Sequence, residues 1–145
     1  VDSLGKPGVF VSGIAVKPGK PVTVALIDNK PVFSFPGHPT AALLMFTLIA
    51  KPVIQLMCGK MPRELASIKA TAGRRMFSAK GRRTFVTVTI VLDEEKGIVA
   101  EPVDSGASGA ITTLTKADGF VDIAENQQFV DAGQEVRVWL LKEKA

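Results

Sequence analysis

The feature that most constrains the fold is the uncharged apolar run at residues 40–50, which directly follows Pro36-Gly37-His38-Pro39. Pro39 suits the first turn of a helix, where its missing N–H costs nothing. A helix that is apolar nearly all round belongs in a protein interior, so the run predicts a buried helix. Pro52 is expected to end or kink this helix, and Gly59 is expected to stop it.

A membrane-spanning helix is the alternative interpretation of this run. Spanning requires roughly 20 apolar residues, and Lys51-Pro52 interrupts the run before that length, so we predict no membrane association. The preceding segments 9–16, 22–27 and 31–35 each indicate a strand. Three short strands are few partners for an apolar helix, so we expect the chain to be part of a longer protein or to pair with a second copy.

The composition changes after Gly59. From there the chain shows short strands separated by turns, at residues 84–91, 98–102, 120–123 and 135–140. The first of these alternates, with Val86, Val88 and Ile90 on one face. Short strands at such spacing predict a small barrel or sandwich. We therefore expect an α/β fragment at residues 1–60 followed by an all-β, barrel-like C-terminal domain at 61–145.

Charge and cysteine content narrow the class of protein. The net charge of +4 suits anionic partners such as phosphates, although an ordinary soluble surface explains it equally well. The single Cys58 cannot form an internal disulfide and has no neighbouring zinc-ligand set, so a reducing, cytoplasmic location is expected. The sequence contains no cluster of carboxylates that would indicate a metal site. It also contains no aromatic strip that would indicate nucleic-acid binding.

Two segments of the first part are candidates for binding anions. Lys17 and Lys20 flank a rigid Pro-Gly turn at the end of a predicted strand, where two ammonium groups would suit phosphate or an oxyanion such as molybdate. Pro36-Gly37-His38-Pro39 precedes a helix N-terminus, which offers free N–H groups to anions. A solvated polar turn and a simple strand-to-helix connection are the alternatives.

Two segments of the second part could also hold an anion. Arg82 and Arg83 precede the best-defined strand, and guanidinium groups can grip phosphate through paired hydrogen bonds. Ser108 lies in a loop of small residues whose backbone could cradle an anion. A solvated hairpin end is the alternative for the arginines, and one Gly-Ser loop is a weak signal.

Taken in order, these segments resemble one family. Residues 13–21 resemble its K-P-G-K-P stretch, residues 31–42 its G-L-P-G-N-P-x-S-A stretch, and residues 81–85 its G-R-x-x-F hairpin. Residues 106–109 followed by 117–120 resemble its Q-G-S-x … A-N-G stretch. Each motif is weak alone, but the ordered set is specific for the MoeA-type molybdotransferases, which include a domain of gephyrin.

The resemblance implies that residues 1–60 end a MogA-like α/β domain and that residues 61–145 form a domain IV-like β-barrel. It implies a reaction in which adenylyl-molybdopterin and molybdate give molybdenum cofactor and AMP with Mg²⁺. The family's acidic Mg²⁺ ligands lie upstream of the matched region, so weak or absent turnover is expected from this chain alone. A homodimer is expected, with a MogA-type adenylyltransferase as a further partner.

Carried over by position, the resemblance makes Lys17 and Lys20 the contacts to molybdate or substrate phosphates. Pro36, Gly37, His38 and Pro39 would shape the same pocket, and His38 replaces the asparagine common in the family. Arg82 or Arg83, together with Ser108, would reach the ligand from the barrel. The alternatives to a transferase are a gephyrin-type protein-interaction module without catalysis and, less favoured, a basic barrel that binds nucleic acid.

Overall fold

The computed structural model describes residues 3, 5–103, 113 and 115–141. The chain divides into two units, Val1–Arg63 and Glu64–Ala145. The first unit contains the strands β1 (Pro7–Ser12), β2 (Val16–Lys17), β3 (Thr23–Ile27) and β4 (Lys30–Ser34). Three of them form an antiparallel sheet in the order β1-β3-β4.

The turn between β3 and β4 explains why these strands pair. Asp28 and Asn29 have positive φ angles of 47° and 63°, the conformation that a two-residue hairpin loop requires. Ile27 consequently pairs with Lys30 across the turn. The strands predicted at 22–27 and 31–35 are confirmed on either side of this turn.

β1 is shorter and more exposed than the sequence suggested. Its pairing with β3 shifts between Val9 and Val11, so Phe10 is the extra residue of a β-bulge. Phe10 is 64% exposed. The strand predicted at 9–16 is therefore confirmed only as far as Ser12, and the bulge turns an aromatic side chain outward.

A single long helix follows the sheet, from Pro39 to Met57. It consists of α1 (Pro39–Met45), a π-helical turn (Phe46–Ala50) and α2 (Lys51–Met57). The start at Pro39 agrees with the sequence. Pro52 does not end the helix, because the wider turn before it accommodates the missing N–H: the Lys51 N–H donates to the carbonyl of Phe46, five residues earlier.

The helix stops where Gly59 predicts. Gly59 has a φ of +71°, and its N–H donates to the Leu56 carbonyl at 2.9 Å. The N–H of Lys60 donates to the Gln55 carbonyl at 2.9 Å. This pair of bonds is the Schellman arrangement, which satisfies the last carbonyls of a helix and favours glycine at its turn.

The helix is much less buried than its composition predicts. Within the most apolar stretch of 18 residues of this helix, only 28% is buried. α2 has no buried residue. The exposed apolar side chains are Leu43, Phe46, Ile54, Leu56 and Met57. By length and composition this helix could also cross a membrane, a test that core helices of soluble proteins pass as well.

The described residues of the second unit form seven strands. They are β5 (Ser67–Ala72), β6 (Met76–Phe77), β7 (Arg83–Asp93), β8 (Gly97–Pro102), β9 (Gly119–Ile123), β10 (Phe129–Val130) and β11 (Glu135–Leu140). Five of them pair in the order β7-β8-β5-β11-β9, and β9 pairs again with β7. This second pairing closes a five-stranded barrel, so the barrel predicted from the strand spacing is confirmed.

The barrel interior is filled by small and branched side chains. Its buried residues are Ala70, Ala72, Met76, Val88, Ala100, Val121, Ile123, Val130, Val136 and Val138. Val86 and Ile90 pack against this core beside Val88, which confirms the alternation read from the sequence of β7. Closure removes the unpaired edges that an open sheet exposes. The exception is a pair of strands that bond over only part of their length, as β5 and β8 do.

The β7–β8 hairpin extends to a charged turn. Asp93 Oδ1 accepts the backbone N–H groups of Lys96 at 2.8 Å and Glu95 at 2.9 Å. These hydrogen bonds to the charged form lower the pKa of Asp93. Just before the turn, Leu92 lies directly opposite Ile98, and both side chains are exposed.

Candidate functional site

The turn that carries Lys17 and Lys20 is fixed at its base by the backbone. The Gly13 N–H donates to the Val22 carbonyl at 2.8 Å, and the Ile14 N–H donates to the Lys20 carbonyl at 3.0 Å. These two bonds close the turn between Gly13 and Val22. The two lysines are therefore presented by an ordered turn and not by a long mobile loop.

Gly19 allows this turn to lie against the helix. Its φ is +124°, and a Cβ atom at this position would lie 2.5 Å from the sulfur of Met45. Met45 is itself buried, so a side chain at position 19 would force Met45 to shift within the packed interior. Met45 is seven residues after His38, which places this contact about 10 Å along the helix axis from its start. The packing therefore ties the lysine turn to the helix.

Both lysine side chains of this turn are exposed. Within the part of the chain that the structure describes, neither Lys17 nor Lys20 forms a hydrogen bond or an ion pair through its ammonium group. Two such groups on one short turn produce a local positive potential. The arrangement can accept an anion without first breaking an internal contact.

The segment Pro36-Gly37-His38-Pro39 connects β4 to the helix. His38 is the N-cap residue with extended backbone (φ −76°, ψ 120°), and its side chain makes no capping hydrogen bond. Its carbonyl accepts the N–H of Ala42 at 2.9 Å. Gly37 has open space around it. The segment is an accessible strand-to-helix connection in the same unit as the lysine turn.

The two arginines of the second unit have different surroundings. Arg83 makes a two-pronged contact with Asp122 on β9, with its Nε 2.8 Å from Oδ1 and its Nη2 2.5 Å from Oδ2. The hydrogen bond and the charge of Asp122 raise the pKa of Arg83. Arg82 is half-buried in the turn before β7, and among the described residues its guanidinium has no ion pair.

This difference bears on which arginine could meet a ligand. Arg83 is already occupied by a cross-strand pair that links β7 to β9, whereas Arg82 remains available. Asp122 was not singled out in the sequence, because it lies 39 residues after Arg83 and no local pattern signals the pairing. The contact between Gly19 and Met45 was missed for the same reason.

Ser108 lies outside the described residues, so its predicted place in an anion-binding loop stays a prediction. Among the described residues, no group of three or more His, Cys, Asp or Glu side chains could hold a metal ion. Carboxylates are the ligands that Mg²⁺ prefers. The described residues therefore do not fit a Mg²⁺ site, and no chemical step is assigned to that ion.

The barrel also places a groove of about 430 Å³ beside the short β6–β10 pair. Phe77 and Phe129 face each other across this pair and line the groove, together with Lys80 and residues 125–128. Phe77 is 68% exposed. The Arg75 guanidinium lies 4.9 Å from the centre of the Phe129 ring. No local pattern in the sequence predicts this groove, since its two aromatic residues are far apart in the chain.

With the fold and these sites described, a comparison with known proteins defines the class of the barrel. Residues 69–141 match the family described as the MoeA C-terminal region (domain IV). This range covers nearly all of the barrel, from β5 to the end of β11. The second unit is therefore a barrel domain of the MoeA C-terminal class.

Similarity to whole relatives extends across both units. A Methanocaldococcus jannaschii protein named for molybdopterin biosynthesis is 33% identical over 134 residues, which make up 92% of this chain and 30% of that protein. Molybdopterin molybdenumtransferase 2 of Mycobacterium tuberculosis is 29% identical over 135 residues, covering 93% and 33%. The crystal structure of a molybdopterin biosynthesis MoeA protein from Pyrococcus horikoshii has a TM-score of 0.82 and 38% identity, covering 97% and 33%.

The chain belongs to the MoeA family and corresponds to its C-terminal portion. It spans about a third of the length of the relatives that it matches. The family resemblance drawn from the ordered sequence motifs is thereby confirmed.

Proposed function

We propose that this chain is the C-terminal portion of a molybdopterin molybdotransferase, which inserts molybdenum from molybdate into adenylyl-molybdopterin and releases AMP. Membership of the MoeA family and the name of the Mycobacterium tuberculosis relative support this proposal. Because the chain spans about a third of that relative, the complete reaction belongs to a longer protein. Weak or absent turnover is expected from these residues alone.

In this proposal, residues 1–60 end a MogA-like α/β domain and residues 61–145 are its domain IV-like neighbour. The largely exposed apolar helix Pro39–Met57 supports the first assignment, because such a helix normally packs against more structure than a three-stranded sheet. Mg²⁺ would be held by residues outside the described set, and molybdate would be a substrate. A homodimer, a MogA-type adenylyltransferase partner and a cytoplasmic location complete the proposal.

The observation that best supports the function is the ordered turn with two unpaired lysines. Adenylyl-molybdopterin contains a phosphoanhydride, and molybdate is an oxyanion, so both substrates bring negative charge to the site. Lys17 and Lys20 would hold these anions and stabilise charge that develops on the phosphate oxygens as AMP leaves. The Pro36–Pro39 segment would also contribute to binding, and of the two arginines Arg82 is favoured over Arg83 because its guanidinium has no ion pair among the described residues.

A binding experiment tests this role. Titration of the chain with adenylyl-molybdopterin in a calorimeter, with and without molybdate, should show saturable binding. Lys17→Ala and Lys20→Ala should each weaken that binding about tenfold, since each removes one charge-assisted contact to the ligand. Both side chains are exposed, so the variants should remain folded.

Lys30→Ala is the matched control. Lys30 is an exposed lysine of the same unit, at the β3–β4 turn, and its removal changes the net charge equally. Affinity should be retained in this variant. An equal loss in all three variants would mean that only net charge matters, and unchanged affinity in the Lys17 and Lys20 variants would refute the proposed site.

A gephyrin-type interaction module is the second candidate, and the groove beside Phe77 favours it. Exposed aromatic side chains are common anchors in protein interfaces. Phe129 is held in place by Arg75, whose Nε donates to Asp131 Oδ1 at 2.6 Å. A rigid, partly charged aromatic groove suits an extended peptide with an aromatic or aliphatic side chain between polar neighbours.

Peptide binding distinguishes this candidate. An array of extended peptides with a single central phenylalanine should give binders whose affinity falls at least about tenfold with Phe77→Ala, since the anchor loses its apolar contact. Phe10→Ala removes an equally exposed aromatic residue from the first unit and should have no effect. No binder in the array, or equal losses in both variants, would count against an interaction module at this groove.

A further inference from the structure

Among the residues that the structure describes, the barrel is not paired along its whole circumference. β5 and β8 run parallel and pair only through Thr71 with Val99 and Ala72 with Ala100. β5 begins four residues earlier, at Ser67, and β8 begins at Gly97. The first half of β5 therefore has a partner, β11, on one side only. We call the open stretch between Ser67–Ala70 and Gly97–Ile98 the β5–β8 seam.

The pairing on the other side of β5 fixes which backbone groups face this seam. The Leu140 N–H donates to the Ala66 carbonyl at 2.8 Å, and the Ala72 N–H donates to the Gln134 carbonyl at 2.9 Å. Backbone groups of successive residues point to opposite sides of a strand. Even-numbered residues of β5 thus bond towards β11. Ser67 and Lys69 direct their N–H and C=O groups into the seam.

A groove of about 310 Å³ lies at the seam. Its lining residues are Lys69, Ala70, Thr71, Lys96, Ile98, Gly133 and Glu135. Ile98 is 37% exposed, and Leu92, which lies directly opposite it on β7, is 80% exposed. An unpaired strand edge therefore lies next to an exposed apolar pair, the combination used when proteins bind an added strand.

The charges around the groove indicate the character of its occupant. Lys69 and Lys96 both line it, and Arg137 lies directly opposite Lys69 on β11. Glu135, the single acidic lining residue, is 3.0 Å from Lys69. Lys96 makes no ion pair among the described residues through its ammonium group. The groove lining thus carries two ammonium groups and one carboxylate, which favours an acidic strand over a basic one, and Asp93, Glu94 and Glu95 in the turn before Lys96 limit this preference.

We propose that the β5–β8 seam binds an extended, acidic segment of a partner protein, which adds a short strand to the free edge of β5. In this complex the partner backbone bonds to Ser67 and Lys69, an apolar side chain covers Leu92 and Ile98, and a carboxylate meets Lys96. The main-chain bonds give affinity, and the side chains give specificity. The residues of this surface differ from those of the lysine turn and of the groove beside Phe77.

The test uses synthetic eight-residue peptides in which an apolar β-branched residue is followed by glutamate, and a matched set with lysine in place of glutamate. Binding is followed by backbone amide shifts in the NMR spectrum of the chain. The acidic set should shift the amides of Ser67, Lys69, Gly97 and Ile98 in a saturable manner. Lys96→Glu should lower the affinity about tenfold or more, and Leu92→Ser should also weaken it.

Lys69→Pro gives the sharpest comparison, because it removes the N–H that faces the seam and leaves the β5–β11 hydrogen bonds in place. Lys69→Ala keeps this N–H. Binding lost in the proline variant and retained in the alanine variant supports strand addition. If neither peptide set shifts these amides, or if the lysine set binds equally well, the proposal is overturned and Lys69 serves only to protect the edge. If Lys69→Pro unfolds the barrel, the Lys96 and Leu92 variants decide.

Discussion

Replacing Phe120 with alanine is expected to lower the free energy of unfolding of the barrel by about 3–5 kcal/mol. Phe120 is 2% exposed and lies on β9, the strand that closes the barrel on β7. Its ring contacts Phe85 edge-on at 5.5 Å between centroids, so the substitution removes a favourable aromatic pair and leaves a cavity. Small domains have roughly 5–15 kcal/mol of stability in total. Urea denaturation followed by circular dichroism measures the loss.

Phe77→Ala is the control for this prediction. Phe77 is a phenylalanine of the same barrel, but it is 68% exposed, and its loss should change stability by no more than about 0.5 kcal/mol. A loss below about 1 kcal/mol for Phe120→Ala, or the same loss for both variants, would show that the burial of the Phe120 ring contributes little to the stability of the barrel.

Gly119→Ala should cost about 3 kcal/mol, near the upper end of what an overpacked core residue costs. A Cβ atom at Gly119 would lie 2.3 Å from the carbonyl oxygen of Trp139 and 2.8 Å from a methyl group of Val138. The nearest atom belongs to the backbone of β11, which cannot rotate away as a side chain can. β9 and β11 would have to separate where they now pair. Thermal unfolding of the purified variant tests this expectation.

Gly133→Ala separates steric clash from backbone strain. Gly133 has a φ of +84° and nothing within 4 Å of an added Cβ, so alanine there meets only the cost of a left-handed backbone, about 1–2 kcal/mol. Gly119→Ala should be the more damaging change. Equal losses in the two variants would mean that the close approach of β9 to β11 relaxes without cost.

The parts of the fold that follow from local patterns were predictable from the sequence. The alternation of Val86, Val88 and Ile90 placed β7 correctly, and Asp28-Asn29 marked a hairpin because few other residues adopt its backbone angles. β5 was missed as an individual strand. Its residues Ser67–Ala72 include serine and alanine, which have little preference for strands. It forms because β11 and β8 lie on either side of it.

The candidate site also combines features that local sequence patterns predict with features that depend on tertiary contacts. The sequence identified Lys17 and Lys20 because a Pro-Gly turn between lysines is a local signal. It could not show that Met45 holds that turn through Gly19, nor that Asp122 occupies Arg83, since both contacts depend on tertiary structure. The exposed state of the helix agrees with the shortage of packing partners expected from the sequence, although the apolar pattern by itself indicated a buried helix.

The strand order of the barrel has a consequence for how the protein is made. β11, the last strand, lies between β5, the first strand of the barrel, and β9. During translation β5 emerges from the ribosome before β11 has been synthesised. For this period β5 is therefore unpaired on the side that β11 later occupies. Folding that depends on such distant pairing is slow, and unpaired strands are prone to aggregate. The barrel can close only after Leu140 has emerged from the exit tunnel, so a stalled or prematurely terminated chain should be a substrate for chaperones and proteases.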